Sequence, residues 1–187
     1  SRKGEVRFDT DEYVKASTTV DTLAGMKPAF KKDGAVTAGN ASGINDGAGA
    51  VVLASEAAVK AHGLKPLARL VAYSHAGVEP TIMGIGPVPA TRRVLERAGW
   101  KVGDLDVIES NEAFAAQACA VVKELGLDPA KTNPNGSGIS LGHPIGATGA
   151  IITTKAIYEL HRTGGKRALV TMCIGGGQGI AALLERV

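Results

Sequence analysis

Apolar and polar positions alternate in blocks along most of the chain, and the blocks predict strands and helices in turn. The first regular block, residues 48–54, is a continuous apolar run, which is typical of a strand buried on both faces. Shorter apolar runs bounded by glycine or by charged residues have the length of ordinary strands. They predict four further strands at residues 67–75, 105–109, 167–174 and 180–187.

Helices are predicted in the intervals between these strands. Ser55 can cap the first of them, and Gly63 stands where a left-handed residue ends a helix. Pro89 lies near the start of the second helix, which should end at Gly99. Apolar residues recur at helical spacing after residue 114 and again over 151–160, so two more helices are predicted, closed by Gly126 and Gly164.

Strands that alternate with helices favour a layered α/β domain. We expect a mixed, mostly parallel sheet with helices on both faces, and a terminal antiparallel hairpin formed by the last two strands around residues 175–179. Residues 1–46 show no sustained period of 2 or 3.6 and begin with Ser1 rather than Met. They predict a separate unit ahead of a domain over 47–187, and the chain is expected to be part of a longer polypeptide.

Composition narrows the class of protein. The 187 residues are 44% hydrophobic and 21% charged, close to ordinary soluble domains. The net charge is only +3, aromatic residues make up 4%, and no run of basic residues stands out, so neither nucleic acid nor a membrane is an expected partner. Two cysteines are too few for a disulfide framework. Reduced thiols and a cytoplasmic location are expected.

Glycine is unusually frequent, at 25 residues, and its clusters adjoin the predicted strands and helices. The sequence nevertheless lacks the Gly-rich fingerprints of dinucleotide and P-loop sites, and it lacks the paired Cys or His spacings of metal centres. We therefore expect no metal and no cofactor. The glycines instead indicate loops whose backbone closely approaches a ligand or another segment.

Three loops combine chemistry with a position at a strand or helix end. They contain Asn111, His143 and Cys173, and open α/β sheets assemble their sites at such ends. Taken singly, each has a simpler explanation: Asn111 as a helix cap, His143 as a loop histidine, and Cys173 as a small buried apolar residue. Together they favour a candidate active site. The other histidines (His62, His75, His161) and Cys119, expected in the core, receive no role.

Four segments resemble the thiolase family of acetyl-CoA acetyltransferases and 3-ketoacyl-CoA thiolases. They are AGNASGINDGAGA at 38–50, NEAFAAQACA from 111, NPNGSGISLGHPIGATGA from 133, and CIGGGQGIA from 173. The resemblance implies the C-terminal half of such an enzyme, with 1–46 as the tail of its loop domain and 47–187 as its C-terminal catalytic domain. The family's acylated cysteine would then lie in the other half, so this chain alone is expected to be inactive.

The resemblance also implies roles for individual residues. Cys173 would move the α-proton of acetyl-CoA, and His143 would activate the acylated cysteine. Gly175 N–H would donate to the oxyanion at that cysteine, while Asn111 would hold a water that, with His143, stabilises the thioester enolate. The residues expected to bind the substrate and its coenzyme A moiety are Lys15, Thr22, Phe30, Ala38, Ala41, Ser42, Met83, Ala113 and Phe114. Core packing remains an alternative for Phe30 and Met83.

The implied function is reversible Claisen condensation of acetyl-CoA, or thiolysis of 3-ketoacyl-CoA in the opposite direction. Cys173 favours thiolases over decarboxylating ketosynthases, which commonly carry a second histidine there. Expected partners are acetyl-CoA and acyl-CoA substrates, the N-terminal half of the same enzyme, and further copies in a homodimer or homotetramer. The alternative is a non-catalytic module for coenzyme A binding or assembly. Acyl chain length and direction of flux do not follow from the sequence.

Overall fold

A computed structural model describes residues 4, 5 and 7–187. A four-stranded sheet organises the chain, in the order β1 (Ala68–Gly77), β4 (Gln178–Arg186), β3 (Arg167–Ile174) and β2 (Val107–Ser110). The helices are α1 (Val20–Ala24), α2 (Glu56–His62), α3 (Pro87–Ala98), α4 (Ala115–Leu125), α5 (Gly138–Leu141) and α6 (Thr148–Thr163), with 3₁₀ turns at Pro80–Ile85 and Val102–Asp104.

The sheet is mixed, as predicted, and the terminal hairpin of β3 and β4 is confirmed. The parallel share is smaller than expected, because β2 and β3 are parallel whereas β4 runs antiparallel to both β3 and β1. The reason is the place of β4: after the hairpin it inserts between β3 and β1. A sequence pattern identifies a strand but not the neighbour it pairs with.

Helices cover both faces of the sheet, as predicted. Leu169 and Leu183 point to a core shared with Val94 of α3. Their neighbours Ala168 and Leu184 point to the opposite core, which includes Leu160 of α6. Successive strand residues therefore supply two apolar layers. A fully buried leucine such as Leu183 contributes about 1.5–3 kcal/mol to the free energy of unfolding.

The predicted helix ends are confirmed. The Ser55 side chain accepts a hydrogen bond from the Ala58 N–H, and Gly63 ends α2 in a left-handed conformation. The helices α3, α4 and α6 likewise stop at Gly99, Gly126 and Gly164. Local capping chemistry alone predicts these boundaries.

The predicted buried strand at residues 48–54 is wrong. The segment forms no helix or strand, and Val52 and Leu53 are 93% and 80% exposed. It passes beside α6, where a Cβ on Gly49 would contact Ile151. Apolar composition indicated burial, but within the described residues no strand pairs with this segment.

Two glycines lie where the backbones of separate segments touch. Gly86 precedes α3, and Gly179 lies in β4. A Cβ on either residue would overlap main-chain atoms of the opposite segment. This contact holds the start of α3 against the β4 arm of the hairpin, next to the Cys173 that pairs with Gly179.

Residues 4, 5 and 7–46 contain little regular structure, as their pattern indicated: the short α1 and isolated bridges formed by Pro28 with Thr37 and by Ala41 and Ile44 with the later part of the chain. The domain boundary predicted after residue 46 stays a prediction. None of the helices within the described ranges is long and apolar enough to cross a bilayer.

Candidate active site

Asn111 lies immediately beyond β2 and is almost completely buried. Its N–H donates to the carbonyl of Thr171 at 2.9 Å, which extends the contact between β2 and β3 by one residue. The side chain of Asn133 completes this strand end, because it accepts from the Ser110 N–H and donates to the Ser110 carbonyl. Asn111 is therefore held by its own main-chain bond to Thr171 and, through Ser110, by the side chain of Asn133.

His143 lies in the loop between α5 and α6 and is half-buried. Its Nε2 is 3.4 Å from Asn111 Nδ2, and its Nδ1 is 2.7 Å from the hydroxyl oxygen of Thr148 at the start of α6. Its N–H donates to Asn45 Oδ1 at 3.2 Å. Both ring nitrogens and the backbone are therefore held, and the imidazole is oriented toward Asn111.

The Thr148 hydroxyl assigns the tautomer of His143. Since this hydroxyl donates its single proton to the Pro144 carbonyl at 3.0 Å, it must accept from Nδ1–H of the imidazole. The lone pair then lies on Nε2, where the Asn111 amide can donate to it. Burial lowers the pKa of His143 below its ordinary 6.5, which favours this neutral form. The arrangement provides a neutral base whose lone pair lies on Nε2.

Cys173 is the penultimate residue of β3 and is 7% exposed. It is two residues beyond Thr171, whose carbonyl holds Asn111, so both residues lie at the same end of the sheet. Burial raises the pKa of the Cys173 thiol, and a backbone hydrogen bond opposes this only partly. The effect of burial on the Cys173 pKa is thus larger than that of the hydrogen bond that favours the thiolate. The resting group is a thiol.

A glycine turn follows Cys173 and joins β3 to β4. Gly176 and Gly177 have φ of 80° and 86°, which side chains other than glycine rarely adopt. Gly177 accepts at its carbonyl from the Val78 N–H at 2.7 Å. Gly175 is exposed, and a Cβ there would meet no atom of the described part of the chain within 4 Å. The backbone at Gly175 is therefore accessible to a ligand.

The segment 40–45 connects the loops of Asn111 and His143. The Ser42 N–H and hydroxyl both donate to the Ala113 carbonyl at 3.0 Å. Ala41 forms an antiparallel bridge with Phe114, and Ile44 forms a parallel bridge with His143. The structure thus brings a segment from the irregular first part of the chain between the two chemical loops.

Five of the nine predicted substrate-binding residues lie in one cluster. Phe30 and Phe114 meet edge to face, with ring centroids 5.8 Å apart, and Phe30 is 74% exposed, which argues against its being a core residue. Met83 is half-buried in the 3₁₀ turn that packs against α4. The five clustered residues are Phe30, Ala41, Ser42, Ala113 and Phe114.

Three more of the predicted substrate-binding residues, Lys15, Thr22 and Ala38, are exposed. Lys15 Nζ donates to the Glu12 carbonyl at 2.8 Å, and the Thr22 hydroxyl is 2.9 Å from that of Thr19. Lys15 also lines a cleft of about 290 Å³ with Asn45 and Leu141, two residues before His143. A larger cleft of about 470 Å³ lies instead along β1, beside Tyr73.

Sequence reasoning missed several residues that hold the site. Thr148 fixes the His143 tautomer, Asn45 holds the His143 backbone, and Asn133 closes the end of β2. A hydroxyl at the first turn of the helix that follows a loop histidine was the available signal for Thr148. The placement of Cys119 in the core was wrong, because its side chain is exposed on α4.

The two cysteines should differ in reactivity. Because the thiolate is the nucleophile and Cys173 is buried with a raised pKa, iodoacetamide should alkylate Cys119 at least about tenfold faster at pH 7. The difference between the two alkylation rates should become smaller as the pH rises and Cys173 ionises. Peptide mass spectrometry against time measures both rates in one sample. Faster alkylation of Cys173 at pH 7 would contradict the buried thiol.

Comparisons with known proteins match the whole chain. The family model described as "Thiolase, C-terminal domain" matches residues 64–186, and "Thiolase, N-terminal domain" matches residues 1–57. The chain is 69% identical over 187 residues to the "Beta-ketothiolase BktB" of Cupriavidus necator. This match covers 100% of this chain and 48% of that protein. It is 55% identical over 184 residues to an "Acetyl-CoA acetyltransferase" of Shinella zoogloeoides, covering 98% and 47%.

Among solved structures, human mitochondrial 3-ketoacyl-CoA thiolase in complex with CoA superposes with a TM-score of 0.91 at 53% identity. The match covers 96% of this chain and 46% of the human chain. The chain thus spans about half the length of the relatives that it matches.

Proposed function

The chain belongs to the thiolase family, and we propose that it forms the C-terminal half of an enzyme that transfers acyl groups between coenzyme A thioesters. The reaction would be condensation of acetyl-CoA units and, in reverse, thiolysis of 3-ketoacyl-CoA. In this half, residues 1–46 would be the tail of the loop domain and 47–187 the catalytic domain. One observation carries the proposal: the Asn111–His143–Thr148 array lies at the same end of the sheet as the buried thiol of Cys173.

His143 would serve as the base that activates the acylated cysteine. A thiol becomes a nucleophile only as its proton leaves, and Nε2 of His143 is the ring nitrogen with the lone pair to receive it. Nδ1–H donates to Thr148, which orients the ring and stabilises the imidazolium that forms. The acylated cysteine would belong to the N-terminal half of the enzyme, so neither Cys119 nor Cys173 takes that role.

Cys173 would exchange a proton with the α-carbon of the substrate. In thiolysis the carbon–carbon bond breaks, and the electron pair left on the α-carbon takes the proton of Sγ–H. In condensation the coenzyme A thiolate that departs during acylation would take the Sγ proton, and the resulting Cys173 thiolate would then take a proton from the methyl group of the second acetyl-CoA. The raised pKa supports this exchange, because the resting thiol is the acid form and its thiolate is a strong base once formed.

Asn111 and Gly175 would stabilise the negative oxygens of the reaction. Asn111 Oδ1 is buried and has no hydrogen-bond partner among the residues that the structure describes, so it is available to accept from an ordered water. That water would donate to the enolate oxygen of the thioester, and so would His143 whenever Nε2 carries a proton. The exposed Gly175 N–H would donate to the oxyanion at the acylated cysteine. Donors fixed before the reaction are the ones that lower its barrier.

The clustered aromatic residues would receive coenzyme A. Phe30 presents an exposed ring held edge to face by Phe114, which suits packing against the adenine or the pantetheine arm. Met83, Ala113 and Phe114 would lie nearer the thioester, with Ala38, Ala41 and Ser42 along the path. Lys15 and Thr22 would contact the nucleotide. The human relative was solved with CoA bound, which supports this ligand.

Complementation tests the proposal. The chain is mixed with the purified N-terminal half of a thiolase, and thiolysis of acetoacetyl-CoA is followed from the loss of substrate absorbance. We expect activity from the mixture and none from either part alone, since each supplies different catalytic groups. The same mixture tests for the expected homodimer or homotetramer by light scattering.

The control for complementation is the chain carrying Asn111→Ala, which should associate but turn over slowly. Titration calorimetry with coenzyme A runs in parallel. Binding of coenzyme A with no turnover in the mixture would reject the enzyme and favour the non-catalytic binding module.

A further inference from the structure

A buried ion pair lies beneath the candidate active site. Lys155 Nζ of α6 is 2.8 Å from Glu109 Oε2 of β2. The Glu109 side chain is fully buried, and that of Lys155 is 18% exposed. Nζ donates a second hydrogen bond to the Gly136 carbonyl. Because stranding either charge alone in the interior is unfavourable, this pair holds its two elements at one separation.

The pair and the catalytic array join the same two faces. Glu109 and Asn111 are two residues apart at the end of β2, so both side chains project from one face of the strand. Thr148 and Lys155 are seven residues apart on α6, which places both on one face of the helix. One face of α6 therefore meets one face of β2 twice: at Lys155 with Glu109, and at Thr148 through His143 with Asn111.

Lys155 also holds the loop that leads to His143. Gly136 accepts from Nζ, and the next residue, Ser137, donates its hydroxyl to the Ser110 carbonyl at 3.3 Å. Asn133, at the start of the same loop, accepts from the Ser110 N–H and donates to the same Ser110 carbonyl. The Lys155 ammonium group of α6 thus contacts both the loop, at Gly136, and the strand β2, at Glu109.

The other carboxylates near the pair have their own partners. Glu159 accepts from Arg162 and from Asn135, and Glu112 accepts from Asn133 and from the Ile139 N–H. Burial raises the pKa of Glu109, and the hydrogen bond from Lys155 opposes that rise. Lys155 is therefore the counter-charge of Glu109, and no other described cation forms an ion pair with this carboxylate.

We propose that Glu109 and Lys155 are positioning residues for His143: the pair fixes α6 against β2 and thereby sets the separation of His143 Nε2 from Asn111 Nδ2. Neither residue touches the reacting atoms. The catalytic consequence rests on the proposed function, whereas the effect on the imidazole can be measured in this chain without any reaction.

Nitrogen-15 NMR of the His143 imidazole tests the proposal. In the unsubstituted chain one tautomer, Nδ1–H, should dominate. Lys155→Met should shift the population toward a mixture of tautomers and move the titration midpoint of the ring, and Lys155→Arg should restore both. The matched control is Lys60→Met, which breaks an exposed Lys–Glu pair on α2 and should leave His143 unchanged.

A second variant, Glu109→Gln with Lys155→Met, removes both charges and leaves no buried ion unpaired, so it separates positioning from simple destabilisation. It should show the same tautomer mixture. A folded double variant with the unsubstituted His143 spectrum would overturn the proposal. In the complemented enzyme, kcat for Lys155→Met should fall by up to about 10²-fold, with KM little changed. If the complemented mixture with the unsubstituted chain gives no turnover, while Lys155→Met alters the His143 spectrum, the proposed function is rejected and the positioning role stands.

Discussion

Replacing Cys173 by alanine should abolish exchange of the α-protons of acetyl-CoA with solvent, while acylation of the cysteine proposed for the N-terminal half continues. The expected loss of exchange is about 10²–10⁴-fold, the usual contribution of a positioned proton-transfer group. The division follows from the proposed mechanism, in which the buried thiol of Cys173 would move the α-proton and His143 would act as a separate base. The measurement uses the complemented enzyme in deuterium oxide and follows the methyl signal of acetyl-CoA by NMR.

The control for this variant is Cys119→Ala, which removes the exposed cysteine of α4 and should leave exchange unchanged. Acylation is followed in the same preparations by intact-protein mass spectrometry. If Cys173→Ala lowered acylation as strongly as exchange, the assignment of the two steps to different residues would be rejected.

Replacing His143 by alanine should slow acylation of the nucleophilic cysteine by about 10²–10⁴-fold. The reason is the loss of the Nε2 lone pair that Thr148 holds in place. A radiolabelled acyl-CoA, quenched at intervals, gives the rate of label incorporation. His62→Ala, on the exposed helix α2, is the matched control. Unchanged labelling in His143→Ala would remove His143 from this role.

The pH dependence of acylation provides a second reading of His143. Burial lowers its pKa below the ordinary 6.5, so the ring remains neutral to a lower pH than an exposed histidine. Protonation occupies Nε2 and stops the base. The acylation rate should therefore decrease on acidification with a midpoint below pH 6.5. A midpoint above pH 6.5 would contradict the buried neutral ring.

Local chemistry in the sequence predicted most of the fold. Ser55 and the four terminal glycines define helix ends through interactions within a few residues, so their pattern is sufficient. The errors concern partners at long range. The apolar run at 48–54 has strand composition but no neighbouring strand in the described residues, and the insertion of β4 between β3 and β1 depends on pairing that composition does not encode.

The site divides in the same way. Their positions at predicted strand and helix ends grouped Asn111, His143 and Cys173, and the resemblance then implied their roles. The structure places Asn111 and His143 side by side at one end of the sheet with Cys173. Thr148 and Lys155 were missed because a threonine and a lysine on a helix are ordinary surface residues in a sequence. Their importance comes from the strand they face, which only the folded chain specifies.

The crossing of Gly86 and Gly179 restricts how this sequence can diverge. The obstacle at each position is the peptide group of the other segment rather than a side chain. A collision with a side chain can be relieved by trimming that neighbour, but no substitution shortens a peptide backbone. In a deep mutational library, deleterious changes at these two glycines should therefore have no second-site suppressors among the neighbouring side chains, and both positions should stay fixed under selection for a folded hairpin.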